Sequence, residues 1–61
     1  MKYSLEDVDG NAYAIMGYVK NAMKREHCTR QEMDDYVTDA TSSDYCHLIS
    51  VSLETIDRLN R

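Results

Sequence analysis

NAYAIMGYVKNAMKR, residues 11–25, carries the clearest helical signal in this 61-residue chain. The apolar residues recur at the i, i+3, i+4, i+7 spacing of one helical face. They are Ala12, Ile15, Met16, Val19, Ala22 and Met23. Asn11 can cap the first turn, while Lys24 and Arg25 suit the negative end of a last turn. We therefore predict a first helix over about residues 11–25.

A second helix is indicated by Thr29 and Glu32, which have the S/T-x-x-E spacing of a capping box. We predict that it spans about residues 30–40. Its apolar residues again share one face. They are Met33, Tyr36, Val37 and Ala40.

The polar cluster at residues 41–44, TSSD, interrupts the helical pattern after the second helix. Ser42 or Ser43 can cap a third helix, which we predict over about residues 44–59. Its apolar residues are Tyr45, Leu48, Ile49, Leu53, Ile56 and Leu59. The β-branched Val51 and Thr55 lower its helical propensity, so this helix has the weakest signal of the three.

The sequence thus predicts an all-α protein, a compact three-helix bundle forming one domain over residues 1–61. Residues 1–8 alternate loosely and are expected to be irregular or to form a short strand, which would need a second subunit to pair with. A single core of this size supplies only about 3–5 kcal/mol, so small domains need a further source of stability. We therefore expect a homo-oligomer.

The two cysteines, Cys28 and Cys46, are not expected to supply that stability. An 11-residue helix between them is about 16 Å long, which places the thiols at opposite ends of an up-down-up bundle and beyond the ~7 Å limit for a disulfide. His27 and His47 flank them, but adjacent residues lack the spacing of a zinc ligand pair. We predict no disulfide and no metal site within one chain.

The charge balance argues against several classes of function. Seven basic and 11 acidic residues give a net charge of −4, which disfavours general nucleic-acid binding. The longest uncharged stretch, residues 10–19, is about half the length of a membrane span, and the acidic start at residues 6–7 does not fit a signal peptide. We expect a cytoplasmic protein. The absence of a phosphate loop or nucleophile motif, and the small volume of the chain, predict no enzyme activity and no cofactor.

One flank of the first helix carries a second stripe, formed by Tyr13, Gly17, Lys20 and Lys24. A glycine inside a helix costs about 1 kcal/mol relative to alanine, which indicates the close approach of a neighbouring helix or a ligand at Gly17. An aromatic ring, a gap and two cations in line can bind a base and phosphates. The alternative is an ordinary helix flank, where tyrosine covers the core edge and lysine faces water.

Two segments resemble a family of small uncharacterised proteins of phages and prophages. They are residues 9–17, DGNAYAIMG, and residues 40–48, ATSSDYCHL. The likeness covers most of residues 9–49. In the family pattern Phe is usual where this chain has Tyr13, Gly where it has Ser43, and Asp where it has Cys46.

The resemblance implies an accessory protein acting in the host cytoplasm, such as a counter-defence protein. In our first hypothesis a homo-oligomer sequesters a small anionic host signal, such as a cyclic nucleotide, in pockets between subunits. Tyr13 or Tyr45 would stack on a base, while lysines and hydroxyl groups would hold phosphate. The candidate ligand-binding residues are Asn11, Tyr13, Lys20, Lys24, Thr41, Ser42, Asp44 and Tyr45. Several of these polar residues are also natural helix caps, so the motif can instead encode turns.

A second hypothesis assigns the function to the acidic residues Asp34, Asp35 and Asp39. Their surface would mimic the charge of a nucleic acid and occupy a basic groove of a host defence protein. A third alternative is a small structural or assembly protein of the phage.

Overall fold

The computed structural model describes residues 2–61. These residues form three helices, α1 (Ala12–Arg25), α2 (Arg30–Ala40) and α3 (Tyr45–Leu59). The prediction of an all-helical, compact three-helix fold is confirmed, with each helix within one residue of its predicted bounds. No strand occurs within these residues, and the predicted N-terminal segment is irregular from residue 2 onward; Met1 lies outside the described residues.

The helix starts are capped by side chains. Asn11 Oδ1 accepts a hydrogen bond from the Tyr13 amide at 2.8 Å, as predicted. Thr29 and Glu32 form the predicted capping box, each side chain accepting from the other's amide at 3.1 Å. These bonds satisfy amides that a first helical turn leaves unpaired.

The cap of α3 differs from the prediction of Ser42 or Ser43. Asp44 occupies that position with an extended backbone, and its Oδ1 accepts from the His47 amide at 3.0 Å. Ser42 serves the preceding helix instead, because its hydroxyl donates to the Asp39 carbonyl oxygen at 2.6 Å.

The C-terminus of α1 ends in a Schellman turn. The Cys28 amide donates to the Met23 carbonyl oxygen at 2.9 Å, and the His27 amide donates to that of Lys24 at 3.1 Å. His27 adopts φ 63°, the left-handed conformation that this turn requires and that glycine normally supplies. The turn reverses the chain so that α2 runs antiparallel to α1.

The core lies where the three helices meet and is closed by the N-terminal segment. The buried apolar residues are Tyr3, Ile15, Val19, Ala22, Met23, Tyr36, Ala40, Leu48 and Ile56. The predicted inner faces of α1 and α2 supply six of them, because their apolar periodicity matches the helical repeat.

The predicted inner face of α3 is partly wrong. Leu53 is 52% exposed, whereas Ser52 and Thr55 are buried. Ser52 is accommodated because its Oγ lies 2.6 Å from the Tyr36 hydroxyl of α2. Thr55 donates to the Val51 carbonyl oxygen at 2.9 Å. Both polar side chains are thus satisfied inside the core, and α3 is rotated so that Leu53 faces outward.

The N-terminal segment is held by side chains from both α1 and α3. The Tyr3 amide donates to Asn60 Oδ1 at 2.8 Å, and Asn60 Nδ2 donates to the Tyr3 carbonyl oxygen at 2.9 Å. The Tyr3 hydroxyl donates to Glu26 Oε2 at 2.7 Å, and the Ser4 amide donates to the Tyr18 hydroxyl at 3.0 Å. These bonds satisfy both backbone groups of Tyr3 and the amide of Ser4 without the second subunit that a strand here would have needed.

The bundle therefore has two distinct ends. Glu26, which caps the C-terminus of α1, and Asn60, which caps that of α3, meet Tyr3 at what we call the tied end. The starts of α1 and α3 meet the end of α2 at the opposite end. Cys28 and Cys46 are both free and belong to different ends. Across residues 2–61, no helix combines the length and apolar character that crossing a membrane requires.

Candidate functional site

A groove of about 330 Å³ opens at the end of the bundle opposite the tied end. We call it the end groove. The start of α1, the end of α2 and the start of α3 all contribute to it. Its lining residues are Ala12, Tyr13, Met16, Ala40, Thr41, Ser43, Asp44, Tyr45 and Leu48. The apolar residues among them are buried or half-buried, so the groove has an apolar floor and a polar, aromatic rim.

Two tyrosines of the rim expose their rings. Tyr13 is 82% exposed, and its hydroxyl forms no hydrogen bond with any other described residue. Tyr45 is 47% exposed, and its hydroxyl donates to the Gly10 carbonyl oxygen, which fixes the ring against the loop before α1. The end groove thus offers one free and one anchored aromatic surface.

The electrostatics of the end groove are set by Asp44 and three helix ends. No lysine or arginine of residues 2–61 lines it. The helix dipoles contribute about +0.5 charge at each of the starts of α1 and α3 and about −0.5 at the end of α2. Together with the full negative charge of the Asp44 carboxylate, these partial charges give the groove a summed charge of about −0.5. Asp44 Oδ1 already accepts from the His47 amide, while its Oδ2 accepts no hydrogen bond within the described chain. The groove therefore favours a cation or a hydrogen-bond donor over an anion.

The structure gathers part of the predicted ligand-binding set in this groove. Tyr13, Thr41, Asp44 and Tyr45 all line it. The Thr41 hydroxyl is used locally, because it donates to the Val37 carbonyl oxygen at 2.7 Å.

The other predicted ligand-binding residues lie outside the end groove. Asn11 and Ser42 form local hydrogen bonds at helix ends. Lys20 and Lys24 are exposed and lie about 10 and 16 Å beyond Tyr13 along the axis of α1. The stripe predicted on α1 is therefore too extended for both lysines to contact a ligand in this groove of the same chain.

Gly17, the predicted point of close approach, has open space beside it. A Cβ atom built at this position would meet no atom of residues 2–61 within 4 Å, leaving aside the neighbouring backbone of α1. The expectation that a neighbouring helix of this chain approaches Gly17 is therefore wrong. Its role in contacts with another molecule stays a prediction.

The exposed surface of α2 is acidic. Its carboxylates belong to Glu32, Asp34, Asp35 and Asp39, against the single cation of Arg30. All four carboxylates have local partners, and that of Glu32 is the Thr29 amide of the capping box. Arg30 Nε lies 3.9 Å from Asp34 Oδ2, Gln31 donates to Asp35 Oδ1 at 2.9 Å, and His47 Nε2 lies 3.2 Å from Asp39 Oδ1. All four acids remain exposed to solvent, and we call them the acidic surface.

A second groove, of about 470 Å³, runs between α2 and α3 beside this surface. We call it the acidic groove. Glu32, Asp35 and Asp39 line one side at i, i+3 and i+7, which places them on one face of α2. Apolar side chains and one cation complete the lining. They include Met23, Tyr36, Val51, Leu59 and Arg58.

Glu32 and the apolar part of this groove were missed by the sequence reasoning. The capping box could have predicted this row of acids, because it fixes where α2 starts and therefore which acids share a helical face with Glu32. Cys28 also lines the groove, where burial raises the pKa of its thiol. The thiol is therefore kept in its protonated, less nucleophilic form.

Neither histidine–cysteine pair forms a metal cluster. No group of three potential metal ligands comes together within residues 2–61. His27 serves the turn after α1, and His47 faces Asp39.

No protein-family model, curated protein or solved structure matches this chain.

Proposed function

We propose that this protein is a small binding protein whose acidic surface occupies a basic region of a partner protein. The observation that carries the proposal is the concentration of four exposed carboxylates on the 11-residue helix α2. Charge complementarity of this kind accelerates association and selects among partners.

The spacing of the carboxylates supports the mimicry of a nucleic acid. Glu32, Asp35 and Asp39 are separated by about 4.5 and 6 Å along the axis of α2. That spacing is of the order of the 3.4 Å rise between phosphates along one strand of DNA. A basic groove that binds a phosphate backbone can therefore meet several of these acids at once.

The resemblance to phage and prophage proteins supports a host protein as the partner. A counter-defence role in the host cytoplasm would need no catalytic residues, because occupying a nucleic-acid groove is enough to inhibit a defence protein. The hydrogen bonds that hold Tyr3 and Ser4 use Glu26, Tyr18 and Asn60 and none of the four acids of the acidic surface, so those acids stay exposed to a partner.

The proposal is tested by charge reversal with a matched control. The test variant is Asp34→Lys/Asp35→Lys on α2. The control variant is Glu6→Lys/Glu54→Lys, which changes two exposed acids elsewhere and also moves the net charge from −4 to about zero. Affinity capture from bacterial lysate identifies the partner, and calorimetric titration at low and high salt measures its Kd. We expect the test variant alone to lose the partner. Equal retention or equal loss by the two variants would contradict the proposal.

Nucleotide sequestration by a homo-oligomer is a second candidate, supported by the meeting of Tyr13, Thr41, Asp44 and Tyr45 in one groove. Because no cation lines that groove within the described chain, Lys20 or Lys24 would have to come from a neighbouring subunit. Thermal shift against cyclic and linear nucleotides tests it, since a ligand at 100 times its Kd stabilises by about 2.7 kcal/mol. A flat response across the panel would exclude this candidate.

A further inference from the structure

We propose that the end groove receives the guanidinium group of an arginine side chain supplied by the partner protein. This inference rests on the proposed function in one respect, namely that the partner is basic. It adds a specific anchor to the general charge attraction of the acidic surface.

The first reason is the exposure of Tyr13. Of the five tyrosines, Tyr3 and Tyr36 are buried and Tyr18 is half-buried, whereas Tyr13 is 82% exposed. It stands beside the anchored ring of Tyr45 on the rim of one groove. A guanidinium group stacks on such aromatic faces because it is planar and weakly hydrated.

The second reason is the carboxylate of Asp44. The cap hydrogen bond from the His47 amide holds this side chain in place, and Oδ2 is available to accept from a ligand. Arginine presents several N–H donors in a rigid fork, which allows it to pair with a carboxylate while its plane contacts a ring. Lysine has a compact, strongly hydrated charge and lacks that plane.

The third reason is the absence of a competing cation. No lysine or arginine of residues 2–61 lines the groove, and its summed charge is about −0.5. The apolar floor, which includes Met16 and Leu48, suits the methylene stem of an arginine side chain. A phosphate group would meet the Asp44 carboxylate instead, which is unfavourable.

The end groove also continues from the acidic surface. Asp39 belongs to that surface, and Ala40 and Thr41, the next two residues, line the end groove. His47 faces Asp39 and donates its amide to Asp44, which links the two regions. One basic partner can therefore contact the acidic surface and place an arginine in the groove.

The test is a nuclear magnetic resonance titration of the labelled protein with acetyl-glycyl-arginyl-glycinamide. The matched probes contain lysine or neutral citrulline in place of arginine. We expect the amides of Tyr13, Asp44 and Tyr45 to shift with the arginine peptide, with a millimolar Kd. The citrulline and lysine peptides should bind several-fold more weakly. Equal shifts with the citrulline peptide, or no shift at these amides with the arginine peptide, would overturn the inference.

Two variants separate the side-chain roles. Asp44→Asn removes the charge but keeps a residue that caps helices equally well, so its melting temperature should stay close to that of the wild type. We expect it to weaken arginine binding about tenfold. Tyr13→Ser changes an exposed side chain and should weaken binding about threefold. Unchanged affinity in both variants would overturn the inference.

The same variants distinguish this inference from the proposed function. If Asp34→Lys/Asp35→Lys loses the partner while Asp44→Asn and Tyr13→Ser bind it as well as the wild type, the arginine anchor is wrong and the acidic-surface proposal stands. If the arginine peptide binds the end groove but the α2 reversal retains the partner, the anchor stands and the acidic-surface proposal fails. Displacement of the arginine peptide by a nucleotide at the same amides would overturn the anchor.

Discussion

Replacing Ser52 with alanine tests the polar contact in the core of this small bundle. The Tyr36 hydroxyl lies 2.6 Å from Ser52 Oγ, and both residues are buried. Ser52→Ala would leave that hydroxyl without its partner, which costs about 1–3 kcal/mol. Alanine favours the helix by about 0.5 kcal/mol relative to serine, so the net loss is about 0.5–2.5 kcal/mol. For a domain of this size that corresponds to a melting temperature lower by about 2–20 °C.

Two companion variants isolate the contribution of the Tyr36–Ser52 hydrogen bond to stability. Tyr36→Phe leaves the Ser52 hydroxyl free to donate one turn back to the Leu48 carbonyl oxygen, so its loss should be smaller. In the double variant no hydroxyl is left unpaired, and it should be more stable than Ser52→Ala alone. Urea denaturation followed by circular dichroism measures all three. A loss below about 0.5 kcal/mol for Ser52→Ala, or additive losses in the double variant, would refute the account.

Three further predictions concern the turn after α1, the interior of α1 and the stability of the protein at acidic pH. His27→Gly should raise the free energy of unfolding by about 0.5–1 kcal/mol, because glycine adopts the left-handed conformation without the strain of about 1–2 kcal/mol that histidine has there. That gain exceeds the entropic cost of ordering a more flexible glycine. A lower melting temperature would contradict this prediction. Gly17→Ala should raise the free energy of unfolding by about 1 kcal/mol, because alanine favours a helix and its Cβ atom would meet open space. A lower free energy of unfolding would instead indicate that Gly17 contacts another molecule. Lys2 and Tyr3 lower the pKa of Glu26 from its usual 4.5 by hydrogen bonds to its carboxylate. That stabilisation is present above pH 4.5 and is lost as pH falls through the lowered value, so melting temperatures should fall less steeply in acid for Glu26→Gln than for the wild type.

The helices were predictable because their signals are local. The periodicity of residues 11–25 and the Thr29–Glu32 capping box each lie within a few turns of chain. The prediction for the inner face of α3 was wrong because apolar spacing places Leu53 inside, whereas a hydrogen bond between the hydroxyl groups of Ser52 and Tyr36 of α2 favours Ser52 there.

The contacts of the N-terminal segment could not be predicted from local sequence patterns, because they also depend on a residue that is distant in the sequence. Its partner, Asn60, stands 57 positions away in sequence, and a single side chain there replaces the neighbouring strand that an extended segment normally needs. A lone asparagine near the end of a helix gives no pattern from which such a contact can be predicted.

The candidate site was predictable only in part. The end groove unites Tyr13 with Thr41 and with residues 43–45, all of which the two sequence motifs already contained. Lys20 and Lys24 shared a stripe with Tyr13 on a helical projection, but such a projection omits the 1.5 Å rise per residue that carries them away from the groove. The sum of charge at the groove depends on three helix ends meeting, which is a property of the folded bundle.

The hydrogen bonds at the tied end affect local unfolding at the two ends of the chain. Termini usually fray independently and at little free-energy cost. Here the amide and carbonyl groups of Tyr3 are both bonded to Asn60, so we expect the Tyr3 amide to exchange with solvent only when Tyr3 and the end of α3 separate together. The end groove stands at the far end of α1, whose 14 residues span about 21 Å. Sequence changes or local motions at the rim of the end groove can therefore occur without breaking the hydrogen bonds between Tyr3 and Asn60 at the tied end.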